Sequence, residues 1–235
     1  FLTLLLVTFA SSASSALALT QLDAAEVARV TVPAVVMIKG TTVDQKTVAG
    51  SGFIVDSSGT IITNLHTIQN LENGAVRLAS GEIYDRFVVR GFDSRRDLAV
   101  IQIPAFDLPT VELGNSNDVK VGTGVVLIGN PRGLEGSLSS GIVSGIRELD
   151  DGSKVFQTDA AANPGKSGGP MVDAEGKVIG VLTFKLSESE HLNFVVPINY
   201  ARGLLSLTSS YSLADLRQEL GAVEDVFKAD ETGET

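Results

Sequence analysis

A succession of short apolar runs constrains the fold of this chain more than any other feature. Runs such as "TVAGSGFIVD", "DLAVIQIP" and "KVIGVLTFKL" alternate with clusters of Gly, Asn, Asp and Pro. Runs of this length, separated by turn residues, are typical of strands, and their spacing favours a sandwich or a barrel over βαβ units. Between Gly40 and Pro197 no convincing amphipathic helix of about ten residues interrupts them. We therefore predict an all-β fold.

Helical patterns occur only near the two ends of the chain. The stretch "TQLDAAEVARV" predicts a short helix capped by Thr20, and "NYARGLLSL" predicts another capped by Asn199. In "SLADLRQELG", Ser212 is the expected cap, Asp215 stands three residues later, and Gly221 is the expected end. The domain should therefore carry short terminal helices.

The first residues form an apolar segment followed by small residues, "FLTLLLVTFASSASSALALTQ". An apolar core followed by an A-x-A triplet is typical of a secretory signal peptide. We expect residues 1–18 to be such a peptide, truncated upstream, and the protein to be exported to the periplasm or an equivalent compartment. An uncleaved membrane anchor is the alternative, although ten apolar residues are fewer than the roughly 20 that span a bilayer.

Charge and cysteine content exclude several classes of function. The chain has 18 Lys and Arg against 28 Asp and Glu, a formal net charge of −10. This acidity argues against a nucleic-acid-binding groove, which needs a basic stripe, and against adhesion to an anionic membrane surface. The absence of cysteine excludes disulfides, thiol catalysis and cysteine-ligated metals. We predict no metal and no cofactor.

Three residues could together form a hydrolytic site. Ser167 stands among glycines in "DAAANPGKSGGPMV", His66 follows the strand-like run "GTIITNLHTI", and Asp97 begins the alternating run "DLAVIQIP". Serine hydrolysis needs a nucleophile, a histidine base and a carboxylate that orients the base. Each residue alone has an ordinary interpretation: a tight turn, a satisfied histidine or a solvated strand-end charge. The other histidine, His191, lies in a polar loop and is interpreted as a surface residue.

The sequence around Ser167 also fits G-x-S-x-G, the nucleophile elbow of α/β-hydrolases. That elbow places a helix directly after the serine, whereas Gly168, Gly169 and Pro170 are poor helix starters and strand pattern follows them. The order of an α/β-hydrolase is Ser, then acid, then His. The order His66, Asp97, Ser167 is instead that of chymotrypsin-like barrels.

The motifs "TNLHTI", "RRDLAVIQI" and "QTDAAANPGKSGGPMV" resemble the three catalytic motifs of the HtrA (Deg) family of serine proteases. The stretches "GSGFIVDSSGTIIT" and "VGTGVVLIGNPRGLEGSLSSGIVSGI" support the resemblance, which covers about Val27 to Leu207. It implies a chymotrypsin-like double β-barrel in which His66 is the base, Asp97 orients it and Ser167 is the nucleophile. The backbone N–H groups of Gly165 and Ser167 would then bind the oxyanion. The family usually has asparagine where Lys166 stands.

The resemblance also suggests where substrate binds. Ala161 is expected at the base of the primary specificity pocket, which favours small or medium apolar residues over Lys or Arg. Substrate backbone should pair with Thr183, Phe184 and Lys185 as an added strand. The side chains of that strand fit an ordinary core strand equally well.

The implied function is cleavage of unfolded or damaged polypeptides by an exported serine endopeptidase. Because family members are often trimers, the resemblance also implies a homotrimer, and we expect no nucleic-acid partner. The alternative is a catalytically silent barrel that binds peptides or acts as a chaperone. We expect residues 19–207 to form the protease domain and residues 208–235 a C-terminal helix with an acidic tail. The tail is too short for the PDZ domain that many HtrA-type proteins carry.

Overall fold

The computed structural model describes residues 23–129, 137–163, 165–183 and 193–232. The predicted signal peptide, residues 1–18, lies outside this part of the chain. Within it, no helix combines the length and the apolar character needed to cross a bilayer.

The N-terminal half forms an antiparallel sheet of seven strands. These strands are β1 Val35–Thr42, β2 Thr47–Asp56, β3 Thr60–Thr63, β4 Leu71–Arg77, β5 Ile83–Tyr84, β6 Val88–Asp93 and β7 Leu98–Gln102. Their order in the sheet is β5-β4-β1-β2-β3-β7-β6. The β3–β7 pairing brings Thr63 opposite Ala99, so the chain that follows β3 lies beside the chain that precedes β7.

The C-terminal half forms a second sheet of seven strands. They are β8 Glu112–Leu113, β9 Gly124–Gly129, β10 Ser137–Glu148, β11 Lys154–Thr158, β12 Pro170–Asp173, β13 Lys177–Thr183 and β14 Asn193–Pro197. The order β12-β9-β10-β11-β14-β13 closes through a β12–β13 pairing, and β8 adds to β13 as a parallel strand. The predicted all-β, chymotrypsin-like double barrel is confirmed.

Most strands coincide with the apolar runs that predict them, but β4, β5, β8 and β12 lie outside those runs. Strand β4 reads "LENGAVR" and contains Asn73-Gly74, a pair that usually marks a turn. Here Gly74 pairs with Gly40 of β1, and a Cβ on Gly40 would lie 2.2 Å from the Asn73 carbonyl oxygen. Close backbone packing between two glycines therefore keeps β4 extended.

The described helices are α1 Ala24–Thr31, α2 Leu65–Ile68, α3 Asn199–Leu205 and α4 Leu213–Thr232, with 3₁₀ turns at Val32–Ala34 and Ser116–Asp118. Helix α1 is capped by Asp23, whose carboxylate accepts from the Glu26 N–H at 2.8 Å, and not by Thr20. The prediction that Asn199 caps α3 is wrong. Asn199 lies inside the helix, where its side chain donates to Asn115 Oδ1.

Helix α4 begins as the sequence predicts and ends later. Asp215 N–H donates to Ser212 Oγ and Ser212 N–H donates to Asp215 Oδ2, a reciprocal capping box. The helix does not end at Gly221 but continues to Thr232, through most of the predicted acidic tail. A glycine in a helix interior costs only about 1 kcal/mol, which the flanking helix formers can outweigh. Leu216, on the first turns, is buried against the core.

The larger apolar core joins the two sheets. It contains Phe53 and Ile101 from the first sheet together with Val126 and Val181 from the second. A smaller cluster, including Phe156, fills the second barrel. Fully burying each such side chain contributes about 1.5–3 kcal/mol, so the shared core fixes the relative positions of the sheets.

Candidate active site

His66 is placed by the short helix α2, directly after β3. Leu65, next to it, is fully buried, and its N–H donates to the Asp97 carbonyl oxygen at 3.2 Å. Asn64 Nδ2 donates to the same oxygen at 2.9 Å. These bonds fix the backbone on which His66 stands relative to the turn that carries Asp97. The His66 side chain is 30% exposed and that of Asp97 only 3%, so the imidazole forms the solvent side of the pair.

Asp97 orients the imidazole through both of its carboxylate oxygens. Its Oδ2 lies 2.6 Å from His66 Nδ1, and its Oδ1 accepts the His66 backbone N–H at 2.9 Å. The residue adopts φ of +56°, an uncommon conformation for a residue with a side chain. Asp and Asn tolerate this region better than most residues, which suits an aspartate that must turn its carboxylate back toward the chain.

Asp97 stays ionised despite its burial. Burial by itself raises the pKa of the carboxyl group, but the hydrogen bonds from His66 and Thr183 and the attraction to the imidazole outweigh it. The net effect holds the pKa of Asp97 below its ordinary value. The site therefore contains a buried anion that can stabilise a protonated imidazole.

Thr183 is the functional residue whose role sequence reasoning missed. Its side chain is fully buried, and its Oγ1 donates to Asp97 Oδ2 at 2.7 Å. Sequence reasoning predicted Thr183 as part of a substrate-binding strand; its buried side chain leaves only the backbone for that role. A polar residue at the end of the apolar run "KVIGVLT" is the one signal that could have indicated a buried partner.

The turn that carries Ser167 is held against both sheets. The Ser167 carbonyl oxygen accepts from Ser51 N–H at 2.7 Å, and Ser51 Oγ donates to the Gly165 carbonyl oxygen at 2.7 Å. On the other side, Gly168 N–H donates to the Leu182 carbonyl oxygen at 2.9 Å. Ser51 belongs to β2 and Leu182 to β13, so the serine lies where the two barrels meet.

Glycines allow this turn to approach the His66 region. Gly168 has φ of +83°, and a Cβ there would lie 2.1 Å from the Ser51 carbonyl oxygen and 3.1 Å from Asn64 N. Gly50 lies between Ser167 and Thr67, the residue after His66. Among the described hydrogen bonds, none joins Ser167 Oγ to His66. In enzymes without substrate this bond is often long and tightens only when substrate binds.

The backbone before the serine forms a turn that leaves two N–H groups available. Lys166 N–H donates to the Asn163 carbonyl oxygen at 3.1 Å, and Gly165 has φ of +96°. This φ lies in the left-handed region that favours glycine. Within the described segments, the N–H groups of Gly165 and Ser167 donate to no protein acceptor. Their assignment as the oxyanion donors stays a prediction.

The predicted substrate-binding residues are only partly described. Ala161 is exposed, and its carbonyl oxygen accepts from Lys166 Nζ at 3.2 Å and from Ser139 Oγ at 2.5 Å. The Thr183 backbone lies at the end of β13, paired with Phe194 of β14. Phe184 and Lys185 lie outside the described residues, as does His191. Among the described residues, no group of three or more His, Asp or Glu side chains could hold a metal ion.

A family comparison agrees with this arrangement. Residues 50–181 match the model of the trypsin-like peptidase domain, which covers His66, Asp97 and Ser167. The chain belongs to the trypsin-like peptidase family. The alternative interpretation of Ser167 as an α/β-hydrolase nucleophile elbow is wrong for this trypsin-like peptidase. The element that follows the serine is strand β12, which begins at Pro170, and not a helix.

Named relatives place the peptidase among HtrA-type proteins, which confirms the resemblance predicted from its motifs. It is 38% identical over 162 residues to a putative serine protease, HhoB, of a Synechocystis species, covering 66% of this chain and 39% of the relative. It is 40% identical over 158 residues to a probable periplasmic DegP-like serine endoprotease of Halomonas elongata, covering 65% and 33%. The peptidase thus spans about two fifths or less of the length of these relatives.

A solved structure shows the same fold. The HtrA-type protease AlgW with a tripeptide superposes with a TM-score of 0.68 at 32% identity, covering 77% of this chain and 62% of that one. The trypsin-like peptidase therefore shares its double barrel with a protease that has been seen with a peptide.

Proposed function

We propose that this chain is the catalytic domain of an exported serine endopeptidase that cleaves unfolded or damaged polypeptides through an acyl-enzyme. The observation that carries the proposal is the 2.6 Å contact of His66 Nδ1 with the buried Asp97 carboxylate, beside the turn of Ser167. A carboxylate in that position holds the imidazole in the tautomer that leaves Nε2 free to accept a proton.

Each residue then has a defined role in the reaction. Ser167 Oγ attacks the carbonyl carbon of the peptide bond while His66 Nε2 takes the hydroxyl proton. His66 then gives that proton to the leaving amine, and water hydrolyses the resulting ester by the same route. Asp97 stabilises the imidazolium in both steps without becoming protonated. The Gly165 and Ser167 N–H groups bind the oxyanion, and losing one such donor typically costs about 3 kcal/mol of transition-state stabilisation.

Unfolded polypeptide is the substrate class that fits this site best. A strand-like substrate beside the end of β13 would be recognised mainly through its backbone, which is accessible only in unfolded or extended chains. Ala161 offers no charge for Lys or Arg, which favours cleavage after small or medium apolar residues. The relatives named periplasmic serine endoproteases, together with the apolar segment at residues 1–18, support an extracytoplasmic location.

A fluorophosphonate probe tests the proposal, because it reacts covalently with an activated serine. We expect the wild-type protein to be labelled, and the Ser167→Ala and His66→Ala variants not to be. Matched controls are Ser144→Ala, which changes an exposed serine of β10, and His191→Ala, which changes the other histidine. Both should label at the wild-type rate. A folded wild-type protein that is not labelled would overturn the proposal and favour the silent peptide-binding barrel.

The substrate class is tested separately. Casein, an unfolded protein, should be cleaved faster than a folded protein of similar size, and cleavage sites read by mass spectrometry should follow small or medium apolar residues. Equal rates on both proteins, or cleavage mainly after Lys and Arg, would contradict the assigned substrate.

A further inference from the structure

Lys166 is a buried lysine next to the nucleophile, and lysine is rarely buried unless its amine has partners. Its residue is 1% exposed, and it forms no ion pair within the described segments. Burial lowers the pKa of this amine. Burying an amine without a counter-ion costs free energy unless the amine is hydrogen-bonded, so the hydrogen bonds of Lys166 must compensate for its burial.

The side chain crosses from the nucleophile turn to two other segments. Lys166 Nζ donates to Ser139 Oγ at 3.0 Å and to the Ala161 carbonyl oxygen at 3.2 Å. Ser139 Oγ in turn donates to the same Ala161 oxygen at 2.5 Å. These three groups form a closed triangle, and it joins β10, the chain at Ala161 and the residue before Ser167.

The triangle includes Lys166, which also belongs to the turn that carries the predicted oxyanion donors. Lys166 N–H closes the turn onto the Asn163 carbonyl oxygen, and the Lys166 carbonyl oxygen accepts from Gly169 N–H at 2.8 Å. Lys166 is thus bonded to the preceding chain twice, through its backbone N–H to Asn163 and through its side chain to Ala161. Both hydrogen bonds restrict rotation of the backbone around Gly165.

The neighbouring strand is shaped to accommodate this side chain. A Cβ on Gly129, the last residue of β9, would lie 2.6 Å from Lys166 Cγ and 2.9 Å from its Cα. Only glycine leaves room for the Cα, Cβ and Cγ atoms of residue 166 to pack against the end of β9. Beyond this contact the side chain extends to Ser139 and Ala161.

We propose that Lys166 is a positioning residue, which ties the oxyanion turn to β10 and holds the Gly165 and Ser167 N–H groups in place before substrate binds. This inference rests on the proposed function. The amine supplies the donors that join Ser139 Oγ and the Ala161 carbonyl oxygen to the oxyanion turn. The effect on the reaction is in the transition state, because the oxyanion forms only there.

Kinetics of Lys166→Met test the inference, because methionine matches the stem of the side chain and lacks every donor. We expect kcat on a peptide substrate to fall by about 10- to 100-fold with KM within about twofold. Lys166→Arg, which keeps the charge and the donors, should recover most of the loss. Lys120→Met, which removes the charge of an exposed lysine, is the matched control and should behave as wild type. A wild-type kcat for Lys166→Met in folded protein would overturn the inference.

A second measurement does not depend on activity. In the Ser167→Ala background, hydrogen exchange of the peptide covering residues 159–168 should be about tenfold faster with Lys166→Met than with Lys120→Met. Ser139→Ala removes the serine hydroxyl from the triangle and leaves the lysine unchanged. Its exchange rate should lie between those of Lys120→Met and Lys166→Met, and it replaces Lys166→Met as the test if that variant does not fold. Unchanged exchange in these variants refutes the positioning role, whereas an unlabelled wild-type protein refutes the proposed function alone.

Discussion

Thr183 Oγ1 donates a 2.7 Å hydrogen bond to Asp97 Oδ2, the carboxylate oxygen that also contacts His66 Nδ1. The two residues are 86 positions apart and belong to different barrels. Asp97 is therefore held in place by the first barrel, through the backbone around His66, and by the second barrel, through Thr183. The orientation of the imidazole depends on how the barrels are packed together.

Replacing Thr183 tests whether this bond matters for the reaction. Thr183→Val keeps the shape of the side chain but removes the donor, so it should lower kcat/KM by about tenfold, since hydrogen bonds to charged groups contribute about 1.5–3 kcal/mol. Thr183→Ser keeps the hydroxyl and should stay within about threefold of wild type. Steady-state hydrolysis of a peptide substrate measures both values. Equal rates for Val and Ser would show that the bond does not support catalysis.

Protonation of Asp97 should lower the free energy of unfolding at acid pH. Its folded-state pKa lies below its unfolded value, so the unfolded chain binds more protons between the two. The stabilisation is fully present above the unfolded pKa, about 3.9, and is lost as pH falls through the folded pKa. Urea titrations from pH 6 downward should show a steeper decrease in the free energy of unfolding for wild type than for Asp97→Asn. Parallel curves would mean that Asp97 is not stabilised as an anion.

Gly168 should be the least replaceable glycine of the nucleophile turn. Alanine there would meet the Ser51 carbonyl oxygen at 2.1 Å and also adopt a positive φ. Gly122 has a similar φ, +90°, but open space around its Cβ, so Gly122→Ala isolates the conformational cost of about 1–2 kcal/mol. We expect Gly168→Ala to lower the free energy of unfolding by about 3 kcal/mol or more. Similar losses for both variants in urea would show that the turn relaxes around the extra methyl group.

Tyr200, in helix α3, should support the turn that carries Asp97. The Arg96 guanidinium carbon lies 4.4 Å from the centre of the Tyr200 ring, and the Tyr200 hydroxyl accepts the Lys154 N–H at 2.9 Å. Tyr200→Leu removes both contacts, whereas Tyr200→Phe keeps the ring over Arg96. We expect thermal unfolding to show a loss of about 1–2 kcal/mol for Leu and less for Phe. Equal losses for Phe and Leu would assign the effect to the hydroxyl alone.

Local patterns in the sequence determined the class of fold and the chemical groups of the site. Apolar runs separated by turn residues predicted strands such as β2 and β7, because each strand must bury one or both faces. The Ser212 and Asp215 spacing predicted the start of α4 for a similarly local reason: a helix cap involves only neighbouring residues. The order of His66, Asp97 and Ser167, in strand-rich surroundings, separated a barrel protease from an α/β-hydrolase.

Only the tertiary structure decided features that arise from contacts between distant segments. Strand β4 is extended because Gly74 meets Gly40. Thr183 is a partner of Asp97 because the end of β13 meets the turn that precedes β7. Lys166 is buried and bonded to Ser139 because folding packs residue 166 against Gly129 and brings β10 within reach of its amine. The residues of each pair are far apart in sequence, and the type of a single residue does not predict which distant residue it will contact after folding. Composition and spacing therefore supplied the reacting groups, while long-range packing set their partners.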